Sequence, residues 1–125
     1  MYSIILPSYK EVKNLNLLID RIFNISKKFE IIIIDDFSND GTFEMLKNKK
    51  KIFKNIKYLI RYKNKSLSRS IYEGILLANK KNILVMDCDF NHNPKDIIKL
   101  IKNFEKKNLD FISGSRFKNV KLKSL

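Results

Sequence analysis

The segment Asp87-Cys88-Asp89 carries two carboxylates two residues apart. In an extended stretch alternate side chains face the same way, so both can address one hard divalent cation through oxygen. Asn91 repeats the spacing and offers a third oxygen. Mg²⁺ and Mn²⁺ are commonly held by one or two carboxylates plus substrate phosphates, so the pattern suits a metal-nucleotide better than a closed protein cage. A second acidic pair, Asp35-Asp36, follows four consecutive Ile residues. A carboxylate there can accept hydrogen bonds from the ribose or base of a nucleoside, or it can cap the next helix. His92 is the only His and has no second His or Cys at ligand spacing, so it reads as a loop-orienting residue. Cys88 has no His-based partner and reads as packing rather than as a nucleophile. Arg116, in Ser113-Gly114-Ser115-Arg116, presents a guanidinium fork suited to a phosphate oxygen. Neither Gly-x-Gly-x-x-Gly nor Gly-Lys-Ser/Thr occurs, which argues against dinucleotide-type and Walker-type phosphate loops.

The elements that must position these groups follow from apolar periodicity. Tyr2 to Leu6 reads as a strand ended by Pro7. Val12, Leu15, Leu18, Ile19, Ile22 and Ile25 recur at three- and four-residue intervals, predicting a helix from Glu11 to Lys27 with one apolar face. Glu30 to Asp35 reads as a strand buried on both faces, and Ser38-Asn39-Asp40-Gly41 as the turn that ends it. The pattern continues with a helix at Thr42 to Lys50, a strand at Ile56 to Ile60, a helix at Ser66 to Ala78, a strand at Asn82 to Met86, a helix at Pro94 to Lys106 and a strand at Phe111 to Ser113. Such alternation implies right-handed crossovers and a mostly parallel, doubly wound α/β sheet, with ligands beyond the carboxyl ends of the strands. The segments after strands one, two and four are where the acidic residues outside helices gather.

The chain has 125 residues, 44% of them hydrophobic and 31% charged, which fits one folded domain. Its net charge of +13 comes almost wholly from Lys, since the only Arg residues are Arg21, Arg61, Arg69 and Arg116. The lysines are spread along a sequence rich in Ile and Asn, so the charge reflects compositional bias as much as a binding surface. The densest run, Lys47-Asn48-Lys49-Lys50-Lys51, is expected at a solvated helix end. A nucleic-acid partner is not expected, because aspartate-rich loops repel phosphates unless a metal intervenes. A single Cys excludes an internal disulfide, no secretion signal precedes the first strand, and no apolar run approaches the roughly 20 residues of a spanning helix. A cytoplasmic protein is expected, with membrane contact peripheral and at the cytoplasmic face.

Taken together, five ordered segments resemble the family 2 glycosyltransferases of the GT-A fold, in the polyprenyl- or dolichyl-phosphate mannosyltransferase branch. They are Leu6-Pro7-Ser8-Tyr9-Lys10-Glu11 with Asn14-Leu15, Ile33 to Thr42, Leu67-Ser68 with Glu73-Gly74, Met86 to Pro94, and Ser113 to Phe117. The resemblance implies a Rossmann-like nucleotide-diphospho-sugar fold, with residues 1–117 as the donor-binding domain and 118–125 as a basic tail. It implies that Pro7, Tyr9, Glu11, Ile34 and Asp36 line the nucleoside pocket. Asp87, Cys88 and Asp89 would meet the diphosphate and its Mg²⁺ or Mn²⁺, with Asn91 as a further ligand, and Arg116 would contact phosphate or acceptor. Asp89 and Arg116 would thus act at the reacting centre. The implied reaction is inverting transfer of a hexose, mannose from GDP-mannose, to a polyprenyl or dolichyl phosphate. A saccharide acceptor is the alternative, and it needs a general base that no acidic residue after Asp110 supplies. The family usually has Gln at Asn91, Pro at Asn39 and Gly at Ser66, and its catalytic domain is considerably longer. The expectation is therefore an N-terminal portion: a truncated form that binds donor without turnover, or one completed by a partner polypeptide.

Overall fold

A computed structural model describes residues 1–90 and 92–112. Its centre is a four-stranded, wholly parallel sheet in the order β3-β2-β1-β4, built from β1 (Tyr2–Ser8), β2 (Glu30–Asp35), β3 (Ile56–Ile60) and β4 (Asn82–Val85). The two central strands are the ones rich in Ile and Leu. Every residue of β2 is buried, because a parallel strand covered by helices on both faces meets no water on either.

The helices are α1 (Val12–Ile25), α2 (Thr42–Ile52), α3 (Leu67–Leu77) and α4 (Asp96–Lys106). The strand order steps one way through β1, β2 and β3 and then reverses to β4. Right-handed crossovers therefore put α1 and α2 on one face and α3 on the other. α1 buries Leu15, Leu18, Ile19, Ile22 and Phe23, the predicted face extended by one aromatic ring. Phe23 stacks on Phe53 with ring centres 4.5 Å apart. α3 packs on β1 and β2, over a cluster formed by Ile5, Ile32 and Ile34.

Three details depart from expectation. β1 runs through Pro7 to Ser8, with Pro7 opposite Ile34 and Ser8 opposite Asp35. Residues of like parity in a strand point their main-chain groups to the same side, and the Ile5 carbonyl accepts from Met86 N–H on the β4 side. Pairing with β4 stops there, so the missing N–H of Pro7 removes no ladder bond. The lysine run belongs to α2, but it is not simply solvated: Lys49 is mostly buried and pairs with Asp20 at 2.5 Å, while the Lys50 ammonium donates to the carbonyls of Lys54 and Ile56. The expected fifth strand is not seen at Phe111 and Ile112, which lie outside the sheet, and Ser113 lies outside the described residues.

Glu30 shows how a parallel strand accommodates a buried charge. Its Oε1 accepts from the Ser3 hydroxyl at 2.7 Å and from Asn79 N–H at 2.8 Å, and its Oε2 pairs with Lys57 at 3.1 Å. Burial opposes ionisation, but these hydrogen bonds and the Lys57 charge outweigh it, and Glu30 is held below the ordinary carboxylate value.

The chain divides into two units at Pro94 and Lys95. The second contains α4, an amphipathic helix with Ile97 buried and Asp96 in its first turn, where a negative charge suits the helix dipole. Among the described residues no helix is long and apolar enough to cross a membrane.

Candidate functional site

The reversal of strand order occurs at β1, between β2 and β4, and in open α/β sheets the crevice at such a point is the usual ligand site. The loops leaving the carboxyl ends of all four strands in the first unit hold the candidate residues. Five left-handed non-glycine residues lie in these loops: Lys10, Phe37, Asn39, Asn64 and Phe90. Such backbone persists only where the surroundings over-determine it, and it gathers at functional sites.

The two adjacent aspartates at the carboxyl end of β2 separate in role. Asp35 is 2% exposed, and its carboxylate accepts from Ser38 N–H at 2.9 Å and the Ser38 hydroxyl at 2.6 Å. Ser38 Oγ in turn accepts from Lys10 N–H at 2.7 Å, so Asp35 is committed to tying the β2 loop to the β1 loop. Asp40 performs a similar task, accepting from Thr42 N–H and hydroxyl at the start of α2 and from Val12 N–H at the start of α1. Asp36 turns the other way. Its Oδ1 accepts from Ser70 Oγ at 3.2 Å and lies 3.5 Å from Arg61 Nη1.

Arg61 and Ser70 were not among the residues singled out from sequence. Arg61 is 8% exposed and directly follows β3, so extending the strand-end rule to the third strand would have found it. Ser70 has no such signal, because it sits on the buried side of α3 and meets Arg61 Nη1 at 3.3 Å only through the fold.

Around this network stands an exposed aromatic group. Tyr9, 51% exposed, has Lys10 and Lys65 ammonium groups 5.2 and 5.6 Å from its ring centre. Lys65 also lies 5.5 Å from the Phe37 ring, which packs against Tyr62 at 4.8 Å. Glu11, at the start of α1, accepts from Asn14 Nδ2 at 2.8 Å. Pro7 is half-buried at the end of β1, whereas Ile34 is wholly buried among Ile5 and Ile32, so its side chain belongs to the core.

After β4, Cys88 is 2% exposed and its thiol donates to the Pro7 carbonyl at 3.2 Å. Burial pushes the thiol's pKa far up, and the negative charges of Glu11, Asp87, Asp89 and Asp35 push it further. The same hydrogen bond ties the start of the loop after β4 to the end of β1. With Cys88 turned inward, the flanking Asp87, whose side chain is 44% exposed, and the exposed Asp89 remain at the surface. His92 closes this loop by accepting Asp87 N–H on Nδ1 at 3.0 Å, so Nε2 carries the proton and faces Asp87 Oδ2 at 3.9 Å.

Among the described residues no three His, Cys, Asp or Glu side chains converge to hold a metal alone. The donor set fits a cation completed by substrate phosphates, which needs only one or two carboxylates. Asn91 and Arg116 lie outside the described residues.

Residues 3–122 match Glycosyl transferase family 2. The dolichol-phosphate mannosyltransferase of Pyrococcus furiosus is 36% identical over 117 residues, spanning 92% of this chain and 33% of the relative. Its Saccharomyces cerevisiae counterpart is 30% identical over 121 residues, spanning 93% of this chain and 45% of the relative. The chain thus spans between a third and a half of the length of these two relatives. In structure it is similar to the Pyrobaculum calidifontis mannosyltransferase PcManGT, solved with GDP-Man and Mn²⁺, with a TM-score of 0.64, 17% identity, and coverage of 70% of this chain and 27% of that one. That likeness supports the GT-A fold expected from the motifs. The chain belongs to glycosyl transferase family 2.

Proposed function

We propose that this chain is the donor-binding part of a glycosyltransferase that moves a hexose, mannose from GDP-mannose, to a polyprenyl or dolichyl phosphate. The observation that carries the reading is the arrangement at the carboxyl edge of the sheet. Asp36 stands with Arg61 and Ser70 at the end of β2, next in the chain to the Phe37 ring that packs on Tyr62, while Asp87 and Asp89 flank Cys88, whose thiol donates to Pro7 of β1. The names of the two relatives supply the choice of sugar and acceptor.

In this reading Pro7, Tyr9, Glu11 and Asp36 bind the nucleoside, with Asp36 accepting from a hydroxyl or ring N–H. Ile34 contributes through the strand that carries Asp36. Asp87 and Asp89, with Asn91, hold Mg²⁺ or Mn²⁺, which supplies charge stabilisation to the departing diphosphate. Cys88 keeps the two carboxylates outward by anchoring its own side chain on Pro7, leaving its main chain to face the diphosphate. Arg116 contacts phosphate or acceptor. The attacking phosphate oxygen is already ionised at pH 7, so the acceptor needs no general base. The acceptor is a lipid, and the enzyme works at the cytoplasmic face of a membrane, with residues 1–117 as the donor domain and 118–125 as a basic tail.

The test is calorimetry of GDP-mannose with and without Mn²⁺ on this chain and on Asp89→Ala. Binding that needs Mn²⁺ and is lost in the variant supports the reading. A folded chain that ignores GDP-mannose and UDP-sugars alike sinks it.

A further inference from the structure

We propose that Arg61 is a positioning residue of the nucleoside edge, holding from one buried guanidinium both the Asp36 carboxylate and the backbone of the loop that carries Lys65. The inference rests on the nucleotide-sugar reading above and assigns a role to two residues outside it, Arg61 and Ser70.

The guanidinium offers a planar, positively charged fork of donors. One arm, Nη1, reaches Asp36 Oδ1 at 3.5 Å and Ser70 Oγ at 3.3 Å. Ser70 then donates to the same Oδ1 at 3.2 Å. That oxygen therefore faces two donors, while Oδ2 receives no hydrogen bond among the described residues. Asp36 is fixed with one oxygen engaged inward and one left to accept from a ligand. The other arm, Nη2, donates to the carbonyls of Lys63 at 3.3 Å and Asn64 at 2.5 Å. Asn64 is left-handed, with φ of 56°, so these bonds hold a turn the chain would not adopt readily by itself.

The turn decides where Lys65 goes. Its ammonium sits between the rings of Tyr9 and Phe37, from the loops after β1 and β2. Arg61 is anchored by its own N–H donating to the Asp35 carbonyl at 2.8 Å. One side chain thus ties the strand-end loops of β2 and β3 into a single geometry around the exposed aromatic group. Lysine cannot substitute, because a point charge on a flexible stem cannot serve the carboxylate and two carbonyls in a fixed plane.

The experiment titrates GDP, UDP and inorganic pyrophosphate, each with MnCl₂, into the full chain and its Arg61→Lys and Ser70→Ala variants, with a melting curve for each. Pyrophosphate lacks the nucleoside, so its binding reports the metal and diphosphate side of the site without the nucleoside edge. The expected result is a loss of about tenfold in affinity for the nucleoside diphosphate in Arg61→Lys, and a smaller loss in Ser70→Ala, with pyrophosphate affinity unchanged in both. Should Arg61→Lys fail to fold, Ser70→Ala carries the same test. Equal losses for pyrophosphate and nucleotide, or no loss in a folded variant, overturn the inference and leave the nucleotide reading standing. A folded wild-type chain that binds neither GDP nor UDP overturns both.

Discussion

A Cβ added to Gly74 of α3 would lie 2.6 Å from Cγ2 of Ile5 in β1, closer than real side chains come. Ile5 is fully buried at the centre of the sheet and cannot move aside without disturbing Ile32 and Ile34. Gly74→Ala should therefore cost about 1–3 kcal/mol by overpacking, despite the better helix propensity of Ala. Urea unfolding of the two proteins measures it, and an equally stable variant would mean that α3 does not press on β1 so closely.

Glu30 links stability to acid. Its carboxyl titrates below its ordinary value of 4.5 in the folded chain, so its contribution is complete above that value and is lost as pH falls through the lower, folded one. Glu30→Gln should be less stable than wild type by about 1–3 kcal/mol near neutral pH, with the gap closing below pH ~4. Parallel stability curves down to acid pH would show that the Ser3, Asn79 and Lys57 contacts contribute nothing specific to the charge.

Asp40 serves two helices, since its carboxylate meets Thr42 at the start of α2 and Val12 at the start of α1. Replacement by Ala removes the acceptor for the Thr42 N–H and hydroxyl at the first residue of α2 and a link between the loops after β1 and β2, for a loss of about 1–2 kcal/mol. Asp40→Asn should recover much of it, and thermal melts of the three proteins give the ranking.

Cys88 should be inert in the folded protein. Burial and four carboxylates keep its thiol protonated, and the thiol is already donating to Pro7. Mass spectrometry after iodoacetamide treatment at pH 8 should find it unmodified in native protein and alkylated in urea. Rapid labelling of the native chain would show that the β4 loop opens.

The proposed reading gives the cation to Asp87 and Asp89. Asp89→Ala should weaken Mn²⁺-dependent GDP-mannose binding by about 100-fold, with a melting curve of the variant to separate lost binding from lost folding. An unchanged affinity would move the cation site elsewhere.

Much of this architecture is legible in local pattern. The run Ile31 to Ile34 has the pattern of a strand covered on both faces, and the spacing of Leu15, Leu18, Ile19 and Ile22 that of one buried helical face, and the structure has both. The turn residues after β2 and the Asp-x-Asp after β4 mark strand ends, and a parallel sheet gathers its ligands there. The failures have equally physical causes. Pro7 ends a strand in local terms, and it continues one here because β4 has already stopped pairing beside it.

Most of the elements, the sheet type and the edge at which the acidic residues collect are written in the sequence, since each follows from residue periodicity and strand direction. Which aspartate does what is set by the fold. Asp35 and Asp36 are adjacent and chemically identical, yet one is locked to the loop by Ser38 and the other is held at the sheet edge by the buried Arg61 and Ser70. That division depends on β3 and α3 lying beside the end of β2, contacts 25 and 34 residues distant in the chain, which no local pattern encodes.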